Sequence, residues 1–365
     1  MRLRTVLATL TAALAAAGCV TAAGPAAAGP AAGSAAGFAA AGPAAGSAAG
    51  PAVQDHSCSP SVSLDRFSDA LDKTTYQGTF VGNFSALAVD RDGSLAALED
   101  RSSLFRLDAK TLQPKAVVPL ADENGDALDS EGLVVDRDGT RLITSETEPS
   151  VRRYSRDGEI LDRLPVPDAL RVAPAGRAVR NGTFEGLTLL PGGRTLLASM
   201  EYALSGDSSG IVRFQTWRRT GDGRFVLGAQ YAYPVDAGLG VPEVQAVPDG
   251  RLLVLERGFT SGVGNTVRLY LADPRRATDT SGVEHLTGQG GDGVRPVGKT
   301  LLADLADCPS LGATAKQPQP NPLLDNIEGM TVTGRAKGRL KVLLVSDDNQ
   351  NATQTTRFYF LRVRV

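Results

Sequence analysis

Five times the chain repeats an apolar run that opens on Glu-Gly or its equivalent, breaks at a polar turn and returns as a second apolar run ending in acid. The openings are Ser85-Ala-Leu-Ala-Val-Asp-Arg-Asp-Gly, Glu131-Gly-Leu-Val-Val-Asp-Arg-Asp-Gly, Glu185-Gly-Leu-Thr-Leu-Leu-Pro-Gly-Gly, Glu243-Val-Gln-Ala-Val-Pro-Asp-Gly and Glu328-Gly-Met-Thr-Val. Asp-Gly and Gly-Gly supply the positive φ angles of tight hairpins, so each unit begins as a hairpin. Third strands are expected at Leu104-Phe-Arg-Leu, Val151-Arg-Arg-Tyr, Ile211-Val-Arg-Phe, Val267-Arg-Leu-Tyr and Thr356-Arg-Phe-Tyr, and fourth strands at Ala116-Val-Val, Ile160-Leu-Asp and Gly228-Ala-Gln-Tyr. Four antiparallel strands repeated in register make a propeller blade, whereas a sandwich rarely repeats one motif in this way.

The openings are spaced 46 (Ser85 to Glu131), 54 (Glu131 to Glu185), 58 (Glu185 to Glu243) and 85 residues (Glu243 to Glu328). The last interval has room for one blade with an insertion or for two, with Leu301-Leu-Ala-Asp-Leu as a further strand. The pattern reads as an all-β chain forming a single β-propeller of six four-stranded antiparallel blades, five or seven being the alternatives. Pairing of the region Thr79 to Val81 with the C-terminal strand would close the ring and remove its exposed edge.

Residues 1–19 read as an export signal: Arg2 and Arg4 precede the apolar stretch from Val6 to Ala17. Ala16-Ala-Gly-Cys19 reads either as a lipobox, which would place a lipid on Cys19, or as an ordinary cleavage site. Residues 20–55 are almost entirely Ala, Gly, Pro and Ser, a composition that cannot bury enough apolar surface to offset ordering entropy, and they read as a flexible spacer. The propeller occupies 56–365. Exported chains meet oxidising conditions, so Cys58 and Cys308 are expected to form a disulfide. No later stretch has the roughly eighteen apolar residues of a membrane-spanning helix, which leaves Cys19 lipidation as the membrane link.

With 38 Lys and Arg against 40 Asp and Glu, the chain has no basic field to attract nucleic acid. Two histidines, His56 and His285, leave little material for a His-based triad or a zinc site. The carboxylates matter by position. Glu131, Glu185, Glu243 and Glu328 open their first strands. A second set, Glu99 with Asp100, Glu146 with Glu148, Glu201, Glu256, and Asp347 with Asp348, closes the second strands. A hairpin brings the start of one strand beside the end of the next, so both sets fall on one rim of the ring. Crowded carboxylates repel one another unless a cation sits among them, and an all-oxygen donor set selects calcium or magnesium over zinc. The alternative is pairing with Arg101, Arg152, Arg180 or Arg257. The first unit carries Ser85 in place of Glu, which would make the rim asymmetric and open to substrate on that side.

The runs Phe84-Ser-Ala-Leu-Ala-Val-Asp, Asp129-Ser-Glu-Gly-Leu, Asn181-Gly-Thr-Phe-Glu-Gly-Leu, Asn326-Ile-Glu-Gly-Met and Leu344-Val-Ser-Asp-Asp-Asn resemble the phytase-like esterase family of exported bacterial proteins (esterase-like activity of phytase). The resemblance runs from about Phe80 to the C-terminus. It implies a secreted β-propeller that hydrolyses phosphate or other esters of small molecules with calcium. It also implies Glu131, Glu185, Glu243, Glu328, Asp347 and Asp348 as metal ligands, with Arg101 and Arg257 clamping substrate oxygens. Glu185 and Glu328 are then the glutamates placed to take a proton from water. The dense Lys and Asp signatures of the propeller phytases are missing, which puts phytate itself in question. The other readings are a calcium-dependent lactonase and a calcium-stabilised surface binding protein without catalysis; in each case the chain is expected to be a monomer. Gly206-Asp-Ser-Ser-Gly formally matches a serine-hydrolase elbow at Ser208, but it lies in a polar loop before a strand and not at a strand-to-helix turn.

Overall fold

The computed structural model describes residues 56–288 and 293–365. The export signal, the spacer and Cys19 lie outside the described residues. Strands that read as continuous apolar runs are buried on both faces, and a ring of radially stacked sheets provides that environment. Blade I consists of Phe84–Val89, Leu95–Glu99, Ser103–Leu107 and Pro114–Pro119; blade II of Ser130–Val135, Arg141–Ser145, Ser150–Tyr154 and Ile160–Arg163. Blade III consists of Phe184–Leu189, Thr195–Met200, Ile211–Arg219 and Phe225–Pro234; blade IV of Gly240–Ala246, Leu252–Thr260, Gly264–Asp273 and Gly298–Asp304. Blade V takes Ile327–Ala336, Arg339–Ser346 and Phe358–Val363, then Val62–Ser68 from the other end of the folded region.

The ring has five blades, not six. The long interval from Glu243 to Glu328 contains one blade, because the chain makes an excursion between Asp273 and Gly298 and another between Asp304 and Ile327. Leu301 belongs to the fourth strand of blade IV. Closure also differs from expectation. Val62 pairs with Val363 and Ser68 with Phe358, whereas Thr79–Val81 folds back on Thr74–Tyr76 as a separate hairpin. The chain meets its own end through seven residues that the repeat pattern did not mark.

Each blade interface has its own apolar core. Phe84, Phe105 and Phe358 meet between blades V and I, Leu98, Leu133 and Tyr154 between I and II, and Phe184 and Trp217 between II and III. Phe214, Tyr233 and Tyr270 pack between III and IV, and Leu255, Leu269 and Leu344 between IV and V. The Asp-Arg-Asp-Gly turns do more than reverse the chain. Asp90 accepts from Arg141 of blade II at 2.5 Å, and Asp136 accepts from Arg219 of blade III at 2.7 Å, so each acid pins the next blade.

Cys58 and Cys308 are bonded, tying the segment before the closing strand to the loop after blade IV. Replacing both with Ser is expected to lower stability by about 2–4 kcal/mol in denaturant unfolding. An unchanged midpoint would mean that the bridge adds nothing to closure.

Candidate active site

Why Glu is followed by Gly is visible in the inner strands. Ladder pairing skips a step at this point in blades II, III and V, between Ser130 and Leu133, between Phe184 and Leu187, and between Ile327 and Gly329; in blade IV the skip ends at Glu243, which stays in the ladder opposite Leu255. Such a bulge re-aims one side chain out of the strand alternation, here the Glu. The glycine is required by the neighbouring blade. A Cβ on Gly132 would lie 2.3 Å from the Glu185 carbonyl oxygen, and one on Gly186 would lie 2.5 Å from the Val244 nitrogen. Only a bare backbone lets the inner strands approach this closely.

At the end of the second strand, the backbone N–H of Asp100, Glu146, Glu201 and Asp347 donates to the carbonyl just before the inner strand, at Asn83, Asp129, Thr183 and Asn326 respectively. These four acids are therefore equivalent positions in blades I, II, III and V. In blade IV the corresponding residue is Arg257, opposite Gly240. The departure from symmetry lies here and not at Ser85, which is buried and outside the cavity lining.

A cavity of about 350 Å³ opens over these residues. Asp100, Asp129, Glu131, Glu146, Glu185, Glu201, Glu328 and Asp347 line it, with Arg257 as the one cationic side chain among the described residues of the wall. Of the residues expected from the sequence, Glu131, Glu185, Glu328, Asp347 and Arg257 come together. Three do not. The Glu243 carboxylate is buried outside the cavity and accepts backbone N–H groups from Val244, Met330 and Leu187, bonding the inner strands of three blades. Asp348 is taken by the Lys73 ammonium and the Asn83 N–H. Arg101 is half exposed, 3.9 Å from Asp100 and off the cavity. Within the second acidic set, Glu256 is buried against Lys299, the Tyr233 hydroxyl and the Asp236 N–H, and Glu148 pairs with Arg163 at the surface. Arg152 pairs with Glu123 and Glu148, away from the rim. Ser208 accompanies a loop whose backbone N–H bonds Leu286, so the elbow motif has no catalytic setting.

One atom each from Glu131, Glu146 and Glu185 fall within 4.8 Å of one another, all buried. Calcium–oxygen bonds of about 2.3–2.6 Å let two ligands of one ion stand up to about 5 Å apart, so this trio is within reach of a single hard cation. Arg257 occupies a different part of the wall. Its Nη2 donates to Glu328 Oε1 at 2.8 Å and reaches Glu201 Oε1 at 3.4 Å; Asn326 Nδ2 also donates to Glu328 Oε1, at 2.9 Å. The pairing of acid with arginine thus holds for Glu201 and Glu328, while among the described residues Glu131, Glu146 and Glu185 form no ion pair and feel Arg257 only at longer range.

Electrostatics follow from this division. Burial, then the Glu328 and Glu146 charges, push Glu131 well above the carboxylate range, and burial with Glu131 beside it does the same to Glu185. Burial lifts Glu146 to about 7, Asp100 to about 7 with help from Asp347, and Glu328 to about 7 against the pull of Arg257. An acid with a raised folded pKa stabilises the fold below its unfolded value and loses that stabilisation as pH climbs through the folded value. The chelated protein is therefore expected to be most stable near pH 4.5 and to fall steadily towards pH 7 in thermal unfolding. A melting temperature that rises over that window would contradict the buried ring.

Sequence reading did not single out Asp129, Asn181, Tyr202, Phe259, Asn265 or Asn326, which also line the cavity. For Asp129 and Asn326 a signal existed: an Asx residue stands two places before Glu131 and Glu328. Asn265 gave none, because its place depends on the third strand of blade IV.

A secreted protein of Arthroderma benhamiae, itself described as uncharacterised, is 28% identical over 118 residues, 26% of this chain and 23% of that one. The chain thus spans about a quarter of that relative. Glutaminyl cyclase of Myxococcus xanthus is similar at 14% identity with a TM-score of 0.42, over 83% of this chain and 97% of the other. Virginiamycin B lyase of Staphylococcus aureus matches at 11% identity and a TM-score of 0.35, over 76% and 79%. At these scores neither likeness bears on blade number or chemistry. The family model described as Phytase-like, esterase-like activity of phytase, matches residues 79–350, all five inner strands and both acidic sets included, and the chain belongs to that family.

Proposed function

We propose that the chain is an exported hydrolase that cleaves phosphate or other esters of small molecules in the acidic channel, assisted by a divalent cation, calcium first. The observation that carries this reading is the trio Glu131, Glu146 and Glu185, three buried carboxylates gathered within one ion's reach. Export is supported by the disulfide and by the secreted relative. Asp100 Oδ1 is a further buried oxygen without a hydrogen-bond partner, with Arg101 Nε no nearer than 3.9 Å.

A bound divalent ion supplies polarisation of the ester oxygen and a more acidic water. The chain's own groups do the rest. Glu328 Oε1 is held by Arg257 and Asn326, which leaves Oε2 to accept the water proton and return it to the leaving oxygen. Arg257 keeps its charge despite burial because Glu328 and Glu201 flank it, and it fixes the base from the cavity wall.

The test is a chromogenic panel of acyl esters, lactones and phosphate esters, with calcium and with chelator. Calcium-dependent turnover is expected, with Glu328→Gln lowering kcat by about 10²–10⁴-fold and KM little changed. Calcium-dependent stability with no turnover on any substrate would make the propeller a binding module instead.

A further inference from the structure

Blade IV interrupts the acidic wall with two donors. Arg257 stands opposite Val267, and Phe259 opposite Asn265, in the hairpin of its second and third strands. Alternate residues of a strand share a face, as do directly paired ones, so Arg257, Phe259 and Asn265 project to the same side as diagonal and direct neighbours. All three line the cavity. Asn265 is 1% exposed, and its Nδ2 has no hydrogen-bond partner. The Nε–H of Arg257 is likewise buried and unpaired, since Glu328 and Glu201 occupy Nη2. Buried N–H groups are almost always satisfied, because leaving one unpaired forfeits its hydration. Two unpaired donors on one wall of a cavity otherwise rich in acceptors are complementary to an oxygen brought in by a ligand.

The charge of the wall limits what that oxygen can belong to. Eight acidic side chains line the cavity against one guanidinium already shared by two of them, so that acids stay in excess even with one divalent cation on the trio. A phosphate monoester would bring two further negative charges into this setting, and like charges brought together in a poorly solvated space are strongly disfavoured. A carbonyl oxygen brings none, and its two lone pairs match two donors. Phe259, 56% exposed at the mouth, offers an apolar surface to the rest of such a molecule.

We propose that Arg257 Nε and Asn265 Nδ2 form an acceptor-oxygen subsite for an ester carbonyl, and that the channel takes small uncharged esters, lactones included, in preference to phosphate monoesters and polyphosphates. This rests on the hydrolase reading above and narrows its substrate. In the reaction the oxygen of water bonds to the acyl carbon, the bond from that carbon to the alkoxy oxygen breaks, and the proton taken by Glu328 passes to the departing alkoxide. The donors of blade IV hold the carbonyl oxygen as it gains negative charge.

The experiment compares p-nitrophenyl acetate and δ-valerolactone with p-nitrophenyl phosphate, using the calcium-loaded full chain and its Asn265→Leu and Asn265→Asp variants. The acetate and the lactone are expected to exceed the phosphate at least tenfold in kcat/KM, and both variants to lose roughly ten- to hundredfold on them, Asn265→Leu with an unchanged melting temperature. Saturation-transfer NMR with δ-valerolactone reads the subsite without chemistry, and Asn265→Leu should abolish its signal. Lactone binding lost in that variant but no turnover of any ester supports the subsite and rejects the hydrolase reading. Preference for the phosphate, or uncharged-ester turnover and lactone binding untouched in both variants, overturns the subsite while leaving hydrolysis standing.

Discussion

Calcium added to the chelated protein at about pH 7.5 should raise the unfolding free energy by about 2.7 kcal/mol at a hundred times its Kd, read as a shift in the thermal or denaturant midpoint. The gain comes from ending an arrangement in which Glu131, Glu146 and Glu185 crowd together without a cation. Glu185→Gln should lose most of it. The same variant, chelated, should be more stable than the chelated parent, since an amide puts no charge beside its two neighbours. That opposite pair of effects separates a ligand from a merely structural glutamate, whose loss would lower stability under both conditions. An equal calcium response in parent and variant would remove Glu185 from the ligand set; no response in the parent would remove the cation.

Arg357→Ala is expected to cost about 3 kcal/mol, chiefly because the carbonyls of Thr314, Pro322 and Leu323 lose their donor, the Asp69 side chain being itself a third exposed. The Arg357 side chain is 1% exposed and donates to both Asp69 oxygens at 2.7 and 2.8 Å and to the carbonyls of Thr314, Pro322 and Leu323. Asp69 directly follows the closing strand, so this side chain fastens the first folded segment to the last blade. Lys, which keeps the charge but cannot reach so many acceptors from one plane, should recover only part of the loss. A variant with the parent's denaturation midpoint would show that the strand pairing alone closes the ring.

The repeat was legible because every blade needs the same local solution, two apolar strands and a turn of positive φ, and four of the five add an acid at the rim. Blade count and closure were not, since insertion length is invisible to periodicity and Val62–Ser68 has no repeat signature. Among the acids, Glu131, Glu185, Glu328 and Asp347 reach the cavity as their register implies. Glu243 does not, because the ladder skip of blade IV ends at it: Glu243 pairs with Leu255, whereas the other three glutamates lie inside the skip, and its carboxylate is engaged by main-chain N–H groups. Asp348 and Glu256 were beyond sequence reasoning because their partners, Lys73 and Lys299, come from the hairpin before blade I and from a fourth strand after a long excursion. The functional asymmetry was within reach, as Arg257 follows an acid at a position where its counterparts are acids, but only the ladder aligns it with them: Val254, opposite Val244, stands three places before it as Ile143 and Ala198 stand before Glu146 and Glu201.

Blade V is made from both ends of the folded region, and it also supplies Glu328, Asn326 and Asp347 to the channel. The carboxylate trio belongs to blades II and III alone and is complete by residue 185, long before the chain has the means to form a ring. Glu328, the proposed proton acceptor, stands instead in the blade that joins the two ends of the folded region. On the proposed reading the ion ligands and the proton acceptor therefore sit on different blades, and loosening the seam of blade V is expected to cost turnover before it costs cation binding.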